Sequence, residues 1–109
     1  MRKAILYNQE GKQFLADFLN NLGDFREEVS MDFVNFAEHG HQWFAECTQI
    51  DAEIIEYSRR IARNQEVRIL FCVHRGSDCY ILVHGFLAGS ERTKRADLTL
   101  ARRRMREFI

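Results

Sequence analysis

Two side chains suited to phosphate chemistry stand in neighbouring predicted strands. Arg68 lies in the apolar run 67–73, and His84 ends the run 80–84. Arginine binds a phosphate through paired hydrogen bonds, and histidine exchanges protons near neutral pH. Cleavage of RNA needs both, because charge on the phosphorane must be neutralised while protons move at the 2′- and 5′-oxygens. Arg68 and His84 are therefore the candidate catalytic residues.

The faces of the predicted strands decide whether these two side chains can act together. Side chains alternate along a strand, which predicts a core face made of Val67, Ile69, Phe71 and Val73. Matching Ile81 and Val83 to that core face leaves Tyr80, Leu82 and His84 on the face of Arg68. We expect this second face to be at least partly open. The alternative is structural: a surface Arg68 paired with Glu56, and a partly buried His84 in a hydrogen bond.

Further cations are expected to border the open face and bind nucleic acid: Arg59, Arg92, Lys94, Arg95 and Arg103. The charge of the chain is divided, although its formal net value is zero. The first 58 residues carry four basic and eleven acidic side chains, and the rest carry twelve basic and five acidic ones. A basic C-terminal half can face a polyanion. Pairing between the two halves within the fold is the alternative.

The elements that must position these residues follow from periodicity. Short β-branched and aromatic runs predict four strands: 3–7, 54–57, 67–73 and 80–84. Apolar residues at helical spacing predict helices over 12–22 and 24–38, and a last basic helix behind Thr93 as a possible N-cap. The apolar face of that last helix is Leu98, Ala101, Met105 and Phe108. Residues 41–51 show no period and are predicted as a loop, whereas 8–11 and 75–78 are predicted turns.

The predicted order is β-α-α-β-β-β-α within one domain, residues 1–109. This order is typical of an α+β fold with a curved, mainly antiparallel sheet, a helical hairpin on one face and a basic C-terminal helix. No apolar run is long enough to span a membrane and no signal peptide is evident, so the expected location is the cytoplasm.

Metal and thiol chemistry find little support in the spacing of the candidate ligands. Three cysteines, Cys47, Cys72 and Cys79, have no CxxC spacing, and the histidines form no HExxH motif. We expect reduced, mostly buried thiols, no metal site and no cofactor. A metal held by histidines and nucleophilic catalysis by Cys72 or Cys79 are the minor alternatives.

The C-terminal half resembles the phage-derived, HigB-like branch of the RelE/ParE toxin superfamily. The similarity is carried by the Val-Arg-Ile-Leu-Phe strand at 67–71, by Leu-Val-His-Gly-Phe at 82–86 and by the arginine-rich segment 102–106. Residues 67–109 match best, and the helical hairpin that ends in Ala-Glu-His-Gly at 37–40 agrees with the first half of the family in order and size.

The resemblance implies a toxin of a type II toxin–antitoxin system, typically a metal-independent endoribonuclease that cleaves mRNA on the ribosome. Arg68 matches the strand arginine that contacts the scissile phosphate, and His84 matches the histidine of the His-Gly-Phe motif. Arg92 lies where the family has a lysine, Lys94 replaces the proline that opens the helix, and Arg59 aligns loosely with a basic strand residue. A cognate antitoxin, mRNA and the ribosome are the implied partners, with operator DNA bound only by the toxin–antitoxin complex.

The chain departs from the family pattern at the paired lysines, where it has Ala88 and Gly89. Two expected cations are therefore missing, and a non-enzymatic protein of the same fold remains the alternative. Such a protein would inhibit a target such as gyrase, or bind RNA or a protein partner without cleavage.

Overall fold

A five-stranded sheet with helices on both faces makes up the protein in a computed structural model that describes residues 3–7, 13–74 and 76–108. The strands are β1 (Lys3–Leu6), β2 (Cys47–Gln49), β3 (Ile55–Ala62), β4 (Gln65–His74) and β5 (Cys79–Ala88). The helices are α1 (Phe14–Asn20), α2 (Phe25–His39) and α3 (Arg95–Met105), with single 3₁₀ turns at His41–Trp43 and Arg106–Phe108. The predicted turn at 8–11, the predicted start of the first helix at Lys12 and the turn residue Arg75 lie outside the described residues.

The sheet order is β1-β5-β4-β3-β2, with β1 parallel to β5 and every other pair antiparallel. The predicted α+β class and the mainly antiparallel sheet are therefore confirmed. The loop predicted over 41–51 is wrong in part, because β2 lies within it and pairs with β3, Cys47 opposite Tyr57. An edge strand of three residues is too short to show a period of two.

The helical hairpin covers the first face of the sheet. Its joint contains Gly23, whose φ of +61° is a left-handed conformation that glycine adopts without strain. Buried residues of α1 and α2, including Leu15, Val29 and Phe33, pack against Tyr57, Ile69 and other strand residues in one apolar cluster. The predicted core face, with Val67, Ile69 and Phe71, is confirmed.

The second face is covered in part, by α3 over β4 and β5. Glu56 and Ser58 of β3 and His84 of β5 stay half-buried on this face, so it is partly open, as expected. Helix α3 packs Ala101 and Met105 over a second buried cluster. Its other members are Ile54, directly before β3, and the strand residues Leu70, Cys72, Cys79, Ile81 and Val83. The α3 arginines do not all face solvent, since Arg104 is only 9% exposed. Thr93 does not cap α3, because the cap position is Lys94 and no side chain closes it.

A β-bulge in β5 changes the face on which its last residues lie. Leu82 pairs with Phe71 and His84 pairs with Leu70, so Val83 is an extra residue opposite none. Tyr80 and Leu82 belong to the cluster under the hairpin, and Ile81 and Val83 to the cluster under α3, the reverse of the prediction. His84 nevertheless lies on the face of Arg68, as predicted, because the bulge adds one residue before it.

Within the described residues, no helix combines the length and the apolar character that crossing a membrane requires.

Gly85 allows α1 to approach β5, and its replacement tests that contact. A Cβ atom there would lie 2.5 Å from Cδ2 of Phe18. We expect Gly85→Ala to lower the free energy of unfolding by about 1–3 kcal/mol, because the ring must move out of its packing site. Urea unfolding measures this loss. In a Phe18→Ala background the same change should cost much less, and an equal cost in both backgrounds would contradict the contact.

Candidate functional site

His84 and Asp97 form a hydrogen-bonded pair between β5 and the first turn of α3. His84 Nε2 lies 2.8 Å from Asp97 Oδ1, and the two side chains are 16% and 22% exposed. The imidazole also stacks on Phe86, with ring centroids 5.1 Å apart and an interplanar angle of 24°. The pair is thus fixed in position yet reachable from solvent.

The pairing with Asp97 determines which ring nitrogen of His84 can exchange a proton. An ionised carboxylate only accepts hydrogen bonds, so Nε2 of the neutral ring carries the proton. No other described residue forms a hydrogen bond with the ring. Nδ1 is therefore the nitrogen left to accept a proton from a bound molecule, an arrangement suited to general base catalysis.

Arg68 lies on the same face but is only 6% exposed. Its Nε donates to Glu66 Oε2 at 3.1 Å, its Nη1 to Thr93 Oγ1 at 3.4 Å and its Nη2 to the Gly89 carbonyl at 3.1 Å. We call these four residues the Arg68 clamp. It ties β4 to the connection between β5 and α3.

The carboxylates around the clamp are held by hydroxyl groups. Ser58 donates to Glu66, and Thr93 donates to Glu56. These contacts differ from the structural alternative suggested by the sequence, in which Glu56 itself would pair with Arg68. The hydrogen bond from Ser58, followed by Arg68, lowers the pKa of Glu66 below its usual value, so the carboxylate is ionised at neutral pH.

Arg59 does not border this face, and that part of the expected surface is wrong. It pairs with Val67 in the sheet and so lies on the hairpin face. Its guanidinium contacts Asp32 at 2.8 Å and Glu28 at 3.1 Å, both on α2. The hydrogen bond with Asp32 raises the pKa of Arg59 despite opposing desolvation. Arg59 therefore pairs with acidic residues of the N-terminal half within the fold, and Arg102 pairs in the same way with Asp51, 2.8 Å away. Part of the basic charge of the C-terminal half is thus neutralised inside the protein.

The remaining predicted cations are exposed and stay candidates for binding. Arg92 lies in the connection after β5, and Lys94 and Arg95 begin α3 close in sequence to Asp97. Arg103 is also exposed, two turns further along the same helix. Arg92, Lys94 and Arg95 lie within five residues of Asp97 along the chain.

Sequence reasoning missed Asp97 and the partners of Arg68. The only signal for Asp97 is that it is the single acidic residue between Arg92 and Arg106. An aspartate in the first turn of a helix is also expected from the helix dipole alone, which hides any other role.

The minor alternatives gain no support. Burial raises the pKa of Cys72 to about 11, which disfavours the thiolate that a nucleophile requires. Across 3–7, 13–74 and 76–108, no three His, Cys, Asp or Glu side chains gather as metal ligands would.

Comparison with known proteins gives one match. The family model described as "Phage derived protein Gp49-like (DUF891)" matches residues 17–106, which include the second half of α1, all of α2, strands β2 to β5 and α3. No curated protein and no solved structure matches the chain.

The Arg68 clamp predicts a pH-dependent stability. We expect Arg68→Met to lower the free energy of unfolding at neutral pH by about 1–3 kcal/mol, because the Glu66 carboxylate and the Gly89 carbonyl lose a donor. The stabilisation from a lowered carboxylate pKa is present above the unfolded pKa and is lost as the pH falls through the folded pKa. The deficit of the variant should therefore shrink in acid.

Urea unfolding between neutral and acidic pH measures this effect. Arg95→Met removes an exposed cation and serves as the control, with little expected loss. Glu66→Gln should remove much of the pH dependence seen between the wild type and Arg68→Met. A deficit that stays constant down to acidic pH would contradict the pairing.

Proposed function

Since the chain belongs to the Gp49-like family of phage-derived proteins, we propose that it is the toxin of a type II toxin–antitoxin system and cleaves mRNA. Three features support the toxin class: the family match, the α+β fold with a basic C-terminal helix, and the resemblance of residues 67–109 to the RelE/ParE superfamily. The proposed site of action is the cytoplasm, where mRNA and ribosomes are found.

The observation that carries the nuclease proposal is the His84–Asp97 pair beside exposed cations. In the proposed step, Nδ1 of His84 takes the proton of the 2′-hydroxyl, and the 2′-oxygen attacks the adjacent phosphorus. The bond from phosphorus to the 5′-oxygen breaks, and that oxygen takes a proton from water. The products are a 2′,3′-cyclic phosphate and a 5′-hydroxyl. Asp97 fixes the ring and stabilises the imidazolium that forms.

Phosphate contacts are assigned to the exposed Arg92, Lys94 and Arg95, with Arg103 as a more distant contact. Arg68 can contact the scissile phosphate only if the phosphate replaces Glu66 or Gly89 as its partner. Without that exchange, Arg68 contributes by holding the connection on which Arg92 lies. Ribosomal alignment of the mRNA would then replace the cations that Ala88 and Gly89 do not supply.

A non-enzymatic toxin or binding module is the second candidate, and the Arg68 clamp is the observation that favours it. All three guanidinium nitrogens of Arg68 donate hydrogen bonds within the protein, so with these bonds in place Arg68 is not available to bind a phosphate. In this case the basic surface would bind RNA or a protein such as gyrase without cleavage.

Primer extension on a reporter mRNA in a reconstituted translation reaction, with and without ribosomes, separates the two candidates. We expect ribosome-dependent cuts with the wild type and a loss of about 10²–10⁴-fold in rate for His84→Gln, as for removal of a general base. Asp97→Asn should slow cleavage less. Arg68→Ala should also reduce cleavage, and its folding must be checked because it breaks the clamp.

His39→Gln is the matched control, because His39 Nε2 also lies near a carboxylate, Glu38 at 3.7 Å, but on the exposed end of α2. It should cut at the wild-type rate. Normal translation on intact mRNA with the wild type would overturn the nuclease proposal and favour the binding module. Gyrase supercoiling would then be measured.

A cognate antitoxin is part of the proposal, and the hairpin offers a surface for it. Met31 and Val34 on α2 are 56% and 50% exposed, and Ile5 on the edge strand β1 is 43% exposed. A groove of about 590 Å³ runs between β1 and the hairpin, with Lys3 and Arg26 among its lining residues. Large exposed apolar side chains beside a groove are typical of a protein interface. We assign this groove to an apolar antitoxin segment with acidic residues.

Pull-down of the product of the neighbouring gene tests this surface. Val34→Asp should reduce its retention at least tenfold, because a carboxylate would be buried against the apolar segment. Leu87→Asp changes an equally exposed apolar residue outside the groove, 48% exposed, and should retain the partner. Equal retention by both variants would exclude the groove as the antitoxin site.

A further inference from the structure

The bulge at Val83 is the local feature that brings His84 to Asp97. Leu82 faces the hairpin, and strict alternation would return the second residue after it, His84, to the hairpin face. The extra residue prevents this, so Val83 and His84 both face α3. A bulge interrupts the hydrogen-bond ladder, and its extra residue needs another partner.

Arg104 supplies that partner. Its Nη1 donates to the Val83 carbonyl at 2.6 Å in a buried contact. The Arg104 guanidinium lies 4.9 Å from the ring centroid of Tyr7, the residue after β1, and 4.6 Å from that of Phe14, the first residue of α1. The Tyr7 hydroxyl donates to Glu107 at 3.1 Å, which fixes the same end of α3.

A buried arginine is a costly way to fill this position. Desolvation lowers the pKa of Arg104, which reflects the unfavourable burial of its charge. An unbranched apolar side chain would pack between the two rings without that cost. What such a side chain cannot do is donate a hydrogen bond to the Val83 carbonyl.

We propose that Arg104 is the positioning residue of the candidate site. Its guanidinium holds the Val83 carbonyl, stabilises the bulge and so keeps His84 in register with Asp97, which lies about two turns before Arg104 on α3. Arg104 and Asp97 both belong to α3, so the helix that carries the partner of His84 also carries the residue that turns His84 toward it. The relevance to catalysis rests on the proposed function, whereas the geometric claim does not.

The Nε2 proton of His84, observed by NMR in the full-length protein without RNA, tests the claim. In the wild type, this proton should be protected from solvent exchange by Asp97, and Asp97→Asn should remove the protection. Arg104→Met should remain folded but lose the protected Nε2 proton signal. Adding Asp97→Asn to Arg104→Met should then cause no further change in the chemical shifts of the His84 ring nitrogens. Arg103→Met, an exposed neighbour on α3, should retain the signal.

A purely structural role for Arg104 gives a different result. Arg104→Met would then lower stability but leave the Nε2 proton and its response to Asp97→Asn unchanged, which would overturn the proposal. If Arg104→Met does not fold, Arg104→Lys is measured instead, because its ammonium can still donate to the carbonyl. In Arg104→Lys the His84 Nε2 proton should be partly protected from exchange. Two results together would overturn the proposal: protection of that proton in Arg104→Lys equal to that in the wild type, and rapid exchange of the Arg104 guanidinium protons in the wild type.

Cleavage assays on the same variants separate this inference from the proposed function. A wild type that leaves mRNA intact while Arg104→Met loses the protected proton refutes the nuclease and retains the positioning role. A wild type that cuts, together with Arg104→Met that cuts at the same rate and keeps the proton, refutes the positioning role alone. The expected result is a loss of cleavage by Arg104→Met that approaches that of His84→Gln.

Discussion

Both faces of the β4–β5 pair must be covered, and this constraint organises the rest of the molecule. Leu70, Cys72 and Ile81 are buried, and so are Ile69 and Phe71 on the opposite face. One helical layer is not enough to remove such strands from water, so the hairpin covers one face and α3 the other. Arg68 and His84, the polar side chains of the candidate site on the α3 face, lie toward one end of these strands. The start of β4 and the end of β5 meet at that end because the two strands are antiparallel.

Each polar group at that end has a specific partner within the fold. Arg68 holds the connection after β5, His84 is held by Asp97, and Arg104 reaches the bulge from the far end of α3. A charge buried without a partner would cost several kilocalories per mole, so these contacts are conditions for the fold as well as features of the site. The cations outside these contacts, at Arg92, Lys94 and Arg95, are exposed and available to a polyanion.

The nuclease and the binding module differ in what they require of this end of the sheet. A nuclease requires a proton acceptor and a neutralised phosphate, and the His84–Asp97 pair meets the first requirement. The second requirement falls on exposed cations, because Arg68 is bonded to Glu66, Thr93 and Gly89. Both functions share the family, the fold and the groove at the hairpin, so the difference between them is confined to a few side chains near α3.

The α+β class, the hairpin core and the helices and strands other than β2 could be predicted from the sequence, because periodicities of two and of 3.6 residues are local properties. The prediction also placed His84 on the face of Arg68, although only the bulge makes this true. The residues from Ile69 to Val73 form a continuous apolar run, which is typical of a strand buried on both faces. The prediction instead assumed strictly alternating faces and assigned only one of them to the core. Tertiary structure alone decided that Arg68 pairs with Glu66, that Arg59 turns to α2 and that Asp97 meets His84. The reason is physical: a charged side chain takes the partner that packing brings within reach, and spacing along the chain does not reveal which partner that is.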